Sequence, residues 1–445
     1  MEVVSIKIGI FEDRLVQNFY PLTYTRAIYD LRVGIYDLKT RIIKYMGTWK
    51  REVNFYVRDY LSTLCEHKLK EVGIKARVNE NSAIDDDIIL VNGRAILTNK
   101  ESKFISDLSE KEKEFLLVKN GQLVAAKLSS QKGSTIKDLL VQQKISEIIS
   151  KLKGEIKLLT CDEITVLEYP WEIIIHNSEL IKRDFYEYIK DKERCGEIDE
   201  RVVIYGNDKD VFVEEGAEIE SFVVLDARGG PIYIGKGTKV QSGARIEGPT
   251  FIGRDTIIVG GAQIREGSNI GDVCRVGGEF EESVMHGYSN KYHAGFIGHA
   301  YIGEWVNIGA MTTNSDLKDT YGTVKVTIGN KRIDTGLRKV GCFMADMVKT
   351  SIGVMIYTGK KIGVASHLHG IVYEDVPSFT IYAKSLGAKP VELYLDSVIE
   401  IQKRMMTRRK KELKDYEIEV IKKVFELTEE ERKRGGVLKG AFKLP

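Results

Sequence analysis

The sequence is poor in cysteine, lacks a long apolar run and carries almost no net charge. Its five cysteines are scattered without C-x-x-C spacing, which argues against a zinc ribbon or a disulfide framework and fits a reducing compartment. Because 67 Lys and Arg face 65 Asp and Glu, the net charge of +2 indicates neither a nucleic-acid nor a membrane partner. Neither a membrane-spanning stretch nor a signal-peptide core is found, so we expect a cytoplasmic protein.

An aliphatic residue recurs at every sixth position in the middle of the chain. The row is Ile234, Val240, Ile246, Ile252, Ile258, Ile264, Ile270 and Val276. Small residues stand two positions before most of them: Thr238, Ala244, Thr250, Thr256, Ala262, Ser268 and Cys274. A period of six is neither helical nor a plain strand alternation, and it predicts one short strand and one turn per hexad. Stacked coils would bury an apolar column that no single hexad could bury.

This pattern resembles that of the hexapeptide-repeat acyltransferases, whose domain is a left-handed parallel β-helix. The left hand and a homotrimer follow from the resemblance, because general crossover rules favour the right-handed form. We expect a linker over 191–212, the β-helix over 213–385 and a helical tail over 386–445. The tail has six basic residues from Lys403 to Lys411, which form either a solvated helix face or a clamp for CoA phosphates or an acidic partner.

Residues 1–190 alternate predicted strands with predicted helices, which is typical of an α/β domain with a parallel sheet. A helix is expected over 31–45. The loop after the first strand contains Arg14 and Arg26, and ligands of such sheets bind at the carboxyl ends of strands. Since Arg binds phosphate bidentately, this loop is either a site for a phosphorylated ligand or a solvated turn.

The same loop, FEDRLVQNFYPLTYTRAIYDLRVGI, resembles the start of a divergent sugar-nucleotidyltransferase family. Members carry a P-L-T-[FY]-T-R signature and end in a hexapeptide β-helix. Three further segments fit the family: 59–61, 91–94 and 167–172. The resemblance implies an α/β nucleotidyltransferase-like domain that transfers uridylyl from UTP. It also implies that Thr23, Asn92 and Gly93 bind the nucleotide together with the two arginines.

The N-terminal domain departs from ordinary sugar nucleotidyltransferases in two ways. It lacks the G-x-G-x-R loop that cradles nucleotide phosphates. Asn92-Gly93 stands where that family supplies a metal-binding Asp, yet a Mg²⁺ ion accompanying UTP needs carboxylate oxygens. The residues therefore leave open whether this domain is catalytically active.

Residues 289–318, SNKYHAGFIGHAYIGEWVNIGAMTTNSDLK, resemble the acetyltransferase segment of a bifunctional enzyme family. That family acetylates glucosamine 1-phosphate and couples the product to UTP. By position, the resemblance implies His293 as the catalytic base, Asn307 and Asn314 as substrate-binding residues, and Ala310 and Cys342 as acetyl-CoA contacts. Phe296 stands where the family has Tyr, so any contact made by that hydroxyl has to be replaced.

The residue types suit acyl transfer. An amine that attacks a thioester must lose a proton, and a neutral imidazole such as that of His293 can take it. The carbonyl oxygen gains negative charge, which backbone N–H groups or Asn side chains can stabilise. Lys291, Arg245 and Arg265 are candidates to hold a sugar phosphate. We therefore predict N-acetylation of an amino-sugar 1-phosphate, glucosamine 1-phosphate first, by acetyl-CoA.

Other interpretations stay open. Three of the histidines of this half could hold zinc, as in hydratases built on the same solenoid: His286, His293, His299, His367 and His369. H-x-H spacing alone is a weak signal, and we expect no metal site. The chain could also be a sugar-1-phosphate nucleotidyltransferase whose β-helix only oligomerises it, or a non-catalytic sugar-nucleotide sensor. Pocket shape, rather than residue pattern, decides which amino sugar and which nucleotide bind.

Overall fold

The chain folds into two compact units. The computed structural model describes residues 6–48, 52–80 and 86–443. The first unit takes most of the chain up to Tyr169. The second takes everything from Pro170 onward, together with the short segments Tyr20–Tyr24 and Arg32–Ile35. Two short segments from the N-terminal part of the chain therefore belong to the second unit.

The first unit is built on a twisted sheet. Its strands lie in the order Lys157–Thr160, Phe115–Lys119, Gln122–Leu128, Ile88–Asn92, Lys7–Phe11, Val53–Tyr56 and Ala76–Val78. They pair in parallel except for Gln122–Leu128, which is antiparallel to both neighbours. Lys7–Phe11 and Ile88–Asn92 are almost wholly buried and nearly continuous apolar runs, as expected for strands covered on both faces.

Helices and short strands complete this unit. The α-helices are Leu38–Tyr45, Ser62–Glu71, Asn99–Lys111, Ser130–Val141 and Ile145–Leu152, with 3₁₀ turns at Arg14–Phe19, Ile28–Asp30 and Asp59–Leu61. The short strands are Tyr36–Asp37, Ala95–Ile96 and Thr165–Val166. The helix expected over 31–45 begins only at Leu38, because Asp37 is its N-cap and accepts a 2.7 Å hydrogen bond from the Thr40 N–H.

The second unit is a parallel β-helix whose strands form three ladders. Face 1 contains Glu197–Ile198, Glu218–Ile219, Lys239–Val240, Ile257–Ile258, Arg275–Val276, Asn290–Lys291, Lys349–Thr350, His367–Leu368, Thr380–Tyr382 and the antiparallel Val391–Glu392. Face 2 contains Val203–Tyr205, Val224–Asp226, Arg245–Glu247, Gln263–Ile264, Glu279–Glu281 and Phe296–Gly298, followed by Thr313–Asn314, Met355–Ile356 and Ile371–Val372. Face 3 contains Val211–Val213, Ile232–Ile234, Thr250–Ile252, Ser268–Ile270, Val284–Met285, Tyr301–Ile302, Phe343–Met344 and Lys361–Ile362.

The hexad residues form the core of this unit. All eight aliphatics from Ile234 to Val276 are fully buried. Complete burial of such a side chain is worth about 1.5–3 kcal/mol. The small residues tie coil to coil: the Thr238 hydroxyl donates to the Gly253 carbonyl at 2.6 Å and accepts from the Thr256 N–H at 3.0 Å. Thr256 repeats the pattern with the next coil. The six-residue period therefore has a packing cause and a hydrogen-bonding cause.

The stretch 191–212, which we expected to be a linker, contributes strands to the first coil. Glu197–Ile198 pairs with Glu218–Ile219, and Val203–Tyr205 pairs with Val224–Asp226. The outward positions of this coil are charged or exposed, so its composition resembles that of a linker. Its inward residues pack on the apolar column all the same.

Helices and one hairpin decorate the β-helix. The connecting helix, Pro170–Tyr188, holds the segment Arg32–Ile35: Asn177 accepts from the Gly34 N–H at 3.0 Å, and Asp184 from the Ile35 N–H at 2.9 Å. The tail helices are Leu395–Thr407, Asp415–Leu427 and Glu429–Arg434, and an antiparallel hairpin joins Lys325–Ile328 to Lys331–Asp334. In the described residues, none of the helices is long and apolar enough to cross a membrane.

Candidate functional site

His293 lies at an exposed corner of the β-helix. It follows Asn290–Lys291 on face 1 and precedes Phe296–Gly298 on face 2. Its ring meets the Tyr292 ring edge-on, with centroids 5.2 Å apart. Its main-chain carbonyl accepts a 2.9 Å hydrogen bond from the Lys291 ammonium. The turn is therefore anchored from inside the coil, while the imidazole faces outward.

Lys291 is that internal anchor. It pairs in register with Val276 and is 1% exposed, in a row that is otherwise largely aliphatic. Its ammonium donates to the Gly277 carbonyl at 2.8 Å as well as to that of His293. Burial lowers the pKa of Lys291 to about 8, against the opposing effect of Glu279. Since both hydrogen bonds go to main chain within the coil, Lys291 holds the corner rather than a sugar phosphate.

Asn314 and Cys342 also point into the coils. The Asn314 amide accepts from the Gly298 N–H at 3.0 Å and donates to the Gly298 carbonyl at 2.9 Å, so it joins two rungs of face 2. Cys342 is fully buried in the apolar column, and burial raises the pKa of its thiol to about 12. Its sulfur therefore does not reach a ligand. Ala310 is half-buried, and its carbonyl accepts from the Gly353 N–H at 2.7 Å.

Arg245 and Arg265 are paired with carboxylates. Arg245 binds Glu247 at 2.7 Å and also contacts Asp226. Arg265 lies 3.2 Å from Glu247 and 3.5 Å from Glu279. These carboxylates raise the pKa of both guanidinium groups, with burial opposing them. Their positive charge is thus largely balanced, and the structure does not bring them to His293.

A cavity of about 240 Å³ lies on the outer side of face 1. Successive rungs supply Asn290, Asn307 and Lys349 to its lining. Tyr288 and Trp305 stack beside them, with ring centroids 4.3 Å apart. Of the predicted substrate-binding residues, Asn307 lies at this cavity, whereas Arg245 lines a separate one of about 530 Å³. Asn290, three positions before His293, links that corner to the cavity.

The tail supplies a cationic wall to this cavity, which we call the basic pocket. Arg404, Arg408 and Arg409 line it from Leu395–Thr407 and the turn that follows. The Arg409 guanidinium donates to Asn290 Oδ1 at 2.7 Å. None of its lining residues is a carboxylate. The run of basic residues from Lys403 to Lys411 is therefore partly a pocket wall.

The electrostatics of the basic pocket favour an anion. Burial lowers the pKa of Lys349 to about 7, and its ammonium donates to the Met347 and Trp305 carbonyls at 2.7 and 3.2 Å. Burial, followed by repulsion from Arg275 and Arg408, lowers the pKa of Arg409. Cations that lower one another's pKa are stabilised by a bound anion. A phosphate group would supply that charge and accept hydrogen bonds from Arg.

The carboxyl ends of the first unit's strands carry a buried ion-pair network. Glu12 accepts from Arg58 at 3.0 and 3.1 Å, and Asp13 accepts from Arg94 at 2.9 Å. The Asn92 amide is also engaged, since it donates to Asp13 Oδ2 at 2.9 Å and accepts from the Arg94 N–H at 3.0 Å. Glu12 and Asp13 are thus each already held by a guanidinium. These residues do not fit a Mg²⁺ ion, so we derive no step through one.

The other predicted nucleotide-binding residues differ in burial and fall in both units. Gly93 donates its N–H to the Phe11 carbonyl at 2.8 Å, and a Cβ there would lie 2.9 Å from Tyr29 Cδ1. Close packing therefore requires the glycine. Arg14 is exposed, whereas Arg26 is 3% exposed. Thr23 is fully buried and lies in a segment that belongs to the second unit.

Among the residues that the structure describes, no three histidines gather into a zinc site. His286 Nε2 lies 2.7 Å from the Tyr301 hydroxyl, inside the second unit. His367 is on a later rung of face 1, where burial first, and then Lys349 and His369, lower its pKa to about 4. His299 instead lies 2.8 Å from Asp316.

Comparison with known proteins finds a nucleotidyl transferase family and relatives described as acetyltransferases. A family model described as "Sugar nucleotidyl transferase" matches residues 8–193. A bifunctional sugar-1-phosphate nucleotidylyltransferase/acetyltransferase of Sulfurisphaera tokodaii is 27% identical over 422 residues, which is 81% of this chain and 95% of that protein. The "Uncharacterized acetyltransferase YaiX" of Escherichia coli O6:K15:H31 is 33% identical and aligns with 38% of this chain and 74% of that protein.

A third relative matches a shorter region. The bifunctional protein GlmU of Methanocaldococcus jannaschii is 35% identical over 85 residues, or 19% of this chain and 21% of that protein. The predicted α/β domain, the parallel β-helix and the helical tail are confirmed, while the left hand of the β-helix stays a prediction. The chain therefore belongs to the divergent family of sugar nucleotidyltransferases that end in a hexapeptide-repeat acetyltransferase β-helix.

Proposed function

We propose that the β-helix transfers the acetyl group of acetyl-CoA to the amine of an amino-sugar 1-phosphate, glucosamine 1-phosphate first. One observation carries the proposal: an exposed histidine, His293, follows by three positions Asn290, which lines the basic pocket. Phosphorylated substrates need such cations, and the amine needs such a base. Two relatives described as acetyltransferases support the proposal.

The chemistry balances without a covalent enzyme intermediate. The amine nitrogen attacks the thioester carbonyl, its C–N bond forms, and the C–S bond breaks as CoA leaves. His293 takes the proton that the amine loses and can return it to the departing thiolate. Backbone N–H groups and the Asn307 amide stabilise the charge that develops on the carbonyl oxygen. Lys291 contributes by fixing the turn that presents the imidazole.

The basic pocket would hold the phosphates of CoA. Arg404, Arg408 and Arg409 offer fork-shaped donors to these phosphates. The stacked Tyr288 and Trp305 rings give the pocket a flat aromatic wall. This assignment leaves the region around His293 and Asn307 for the sugar and the acetyl group.

Nucleotidyl transfer is proposed as the activity of the first unit, in which UTP would couple to the acetylated sugar phosphate. Its support is the family model over residues 8–193 and the bifunctional relative, which aligns over 95% of its length. Arg14 is the exposed cation nearest the end of the first strand in sequence. A homotrimer in a reducing cytoplasm, with glucosamine 1-phosphate, acetyl-CoA and UTP as its substrates, completes the proposal.

Thiol release tests the acetyltransferase directly. Wild-type protein is incubated with acetyl-CoA and glucosamine 1-phosphate and compared with His293→Ala. We expect release of CoA by the wild type and at least ~10²-fold less by the variant. His67→Ala is the control, because His67 is an exposed histidine of the first unit.

Two results would overturn this function. Absence of CoA release with several amino-sugar phosphates would exclude acetyl transfer. Release of pyrophosphate from UTP without any thiol release would leave a nucleotidyltransferase whose β-helix is a scaffold. Light scattering during chromatography would show whether the chain is a trimer in either case.

A further inference from the structure

A His and two carboxylates from successive coils meet at a place that the proposed acetyl transfer does not use. Glu281 ends a strand of face 2, His299 follows Phe296–Gly298, and Asp316 follows Thr313–Asn314. One ligand atom from each lies within 4.8 Å of the other two. Within the residues that the structure describes, this is the group whose side chains are placed to share one metal ion.

Two of the three ligand atoms are buried and lack a hydrogen bond. His299 Nδ1 and Asp316 Oδ2 are 2.8 Å apart, but their orientation does not make a hydrogen bond, and neither atom has another partner among the described residues. Asp316 as a whole is 8% exposed. A buried polar atom without a partner costs roughly 1–3 kcal/mol. A cation between the two atoms would satisfy both at once.

The surrounding charge also favours a cation. Asp316 supplies one carboxylate, 2.8 Å from His299 Nδ1. Glu281 and Glu282 add two further acidic groups, and Lys339 is the basic side chain that contacts Glu281, at 3.2 Å.

A cavity opens beside the histidine. It has a volume of about 320 Å³, and its polar lining residues are His299, Glu282, Arg338 and Lys339, with Trp171 of the connecting helix beside them. We propose that Glu281, His299 and Asp316 bind a divalent transition-metal ion such as Zn²⁺, with one coordination position open to this cavity. Three protein ligands and an open position are the arrangement of a reactive rather than a closed structural zinc site.

Small movements convert the observed geometry into a metal site. Zinc holds N and O donors at about 2.0–2.2 Å, which places the donors of a tetrahedron roughly 3.3 Å apart. The Nδ1 and Oδ2 atoms therefore need to separate by roughly half an ångström, and the Glu281 carboxylate needs to leave Lys339. One imidazole with two carboxylates suits Zn²⁺ or Mn²⁺ better than Mg²⁺ or Ca²⁺.

Calorimetric titration tests the site. The full-length protein is treated with a chelator and titrated with Zn²⁺ alone. We expect one ion to bind per chain, and binding at least ~100-fold weaker in His299→Ala and in Asp316→Asn. His293→Ala is the matched control, because it removes an exposed histidine of the same unit and should bind Zn²⁺ like the wild type. Lys339→Met should bind more tightly, since the competing ammonium is gone.

A second measurement covers variants that fold poorly. Co²⁺ in a tetrahedral site of the wild type should give a visible absorption band, and Zn²⁺ should raise the midpoint of thermal unfolding. Equal Zn²⁺ affinity in wild type and His299→Ala would overturn the proposal. The outcome is independent of acetyl transfer, because His293→Ala is expected to lose thiol release while it keeps the metal.

Discussion

Replacing Lys291 with Met should change how the stability of the β-helix depends on pH. The folded protein keeps this ammonium inside a coil, where burial lowers its pKa from 10.5 to about 8. In the unfolded chain the pKa returns to the ordinary value. Between these two values the unfolded state binds more protons, so the folded state gains stability as the pH rises. Met has a similar shape and does not titrate.

The size of the effect follows from the shift. A fall of roughly 2.5 pKa units corresponds to about 3 kcal/mol, at about 1.4 kcal/mol per unit. The free energy of unfolding of the wild type should therefore rise by about 3 kcal/mol relative to Lys291→Met between pH 7 and pH 10.5. At pH 7 the variant loses the hydrogen bonds to Gly277 and His293 but also escapes the cost of a buried charge.

Urea denaturation at several pH values, followed by circular dichroism, measures this difference. The unfolding transition whose midpoint differs between wild type and variant belongs to the second unit. The effects of the other titrating groups are the same in both proteins and cancel in the comparison. Lys239→Met is the control, because Lys239 is an exposed lysine of the same face and should leave the pH dependence nearly parallel to that of the wild type. Parallel curves for Lys291→Met and wild type would refute the assignment of a buried, depressed-pKa ammonium.

Three further changes probe other parts of the chain. Asp13→Asn leaves the buried guanidinium of Arg94 without its counter-charge, and we expect a loss of about 3–5 kcal/mol in the denaturant stability of the first unit; a loss below ~1 kcal/mol would contradict the ion-pair network. Arg409→Ala should raise the KM for acetyl-CoA about tenfold with little change in kcat, because it removes a phosphate donor of the basic pocket; steady-state thiol release decides, and an unchanged KM counts against the pocket. Asn314→Ala should lower the thermal midpoint of the second unit, since both main-chain groups of Gly298 lose their partner, worth about 2–4 kcal/mol; an unchanged midpoint in a calorimetric scan would show that the clamp is dispensable.

The β-helix could be predicted because its pattern is local. Each hexad aliphatic, such as Ile246 or Ile264, is buried by residues one coil away that carry the same kind of side chain. The roles of polar residues could not be predicted in the same way. Lys291, Asn314 and Cys342 were expected to bind ligands, yet they occupy inward positions of their rungs. Lys291 lies in register with Val276, which indicates an inward position. The six-residue period breaks after Val276, so this register could not be seen in the sequence.

Tertiary contacts decide the rest of the candidate site. The basic residues of the tail gave two interpretations, and only the placement of Arg409 against Asn290 shows that some of them line a pocket. The sequence does not predict a place for Lys349 in the pocket. Lys349 lies beside Asn307 on the next rung of face 1, but the two residues are far apart in the sequence. Glu281, His299 and Asp316 are separated by roughly one coil each, so a search at that spacing could have found them. The catalytic role of His293 is predicted from the family resemblance and not from the six-residue period. The same holds for the combination of a nucleotidyltransferase half with an acetyltransferase half.

Because two N-terminal segments pack within the second unit, the protein cannot be divided into independent fragments at Pro170. Asn269, buried inside that unit, donates to the Gly34 carbonyl at 2.6 Å, and the Arg32 N–H donates to the Tyr301 hydroxyl at 2.9 Å. A fragment that starts at Pro170 would strip these groups of their partners and uncover the Phe251 ring that Arg32 covers. Gene dissection at the apparent boundary should therefore give an insoluble β-helix, whereas a fusion that carries residues 20–35 should rescue it. An exchange of the β-helix of this chain for another would therefore have to include residues 20–35.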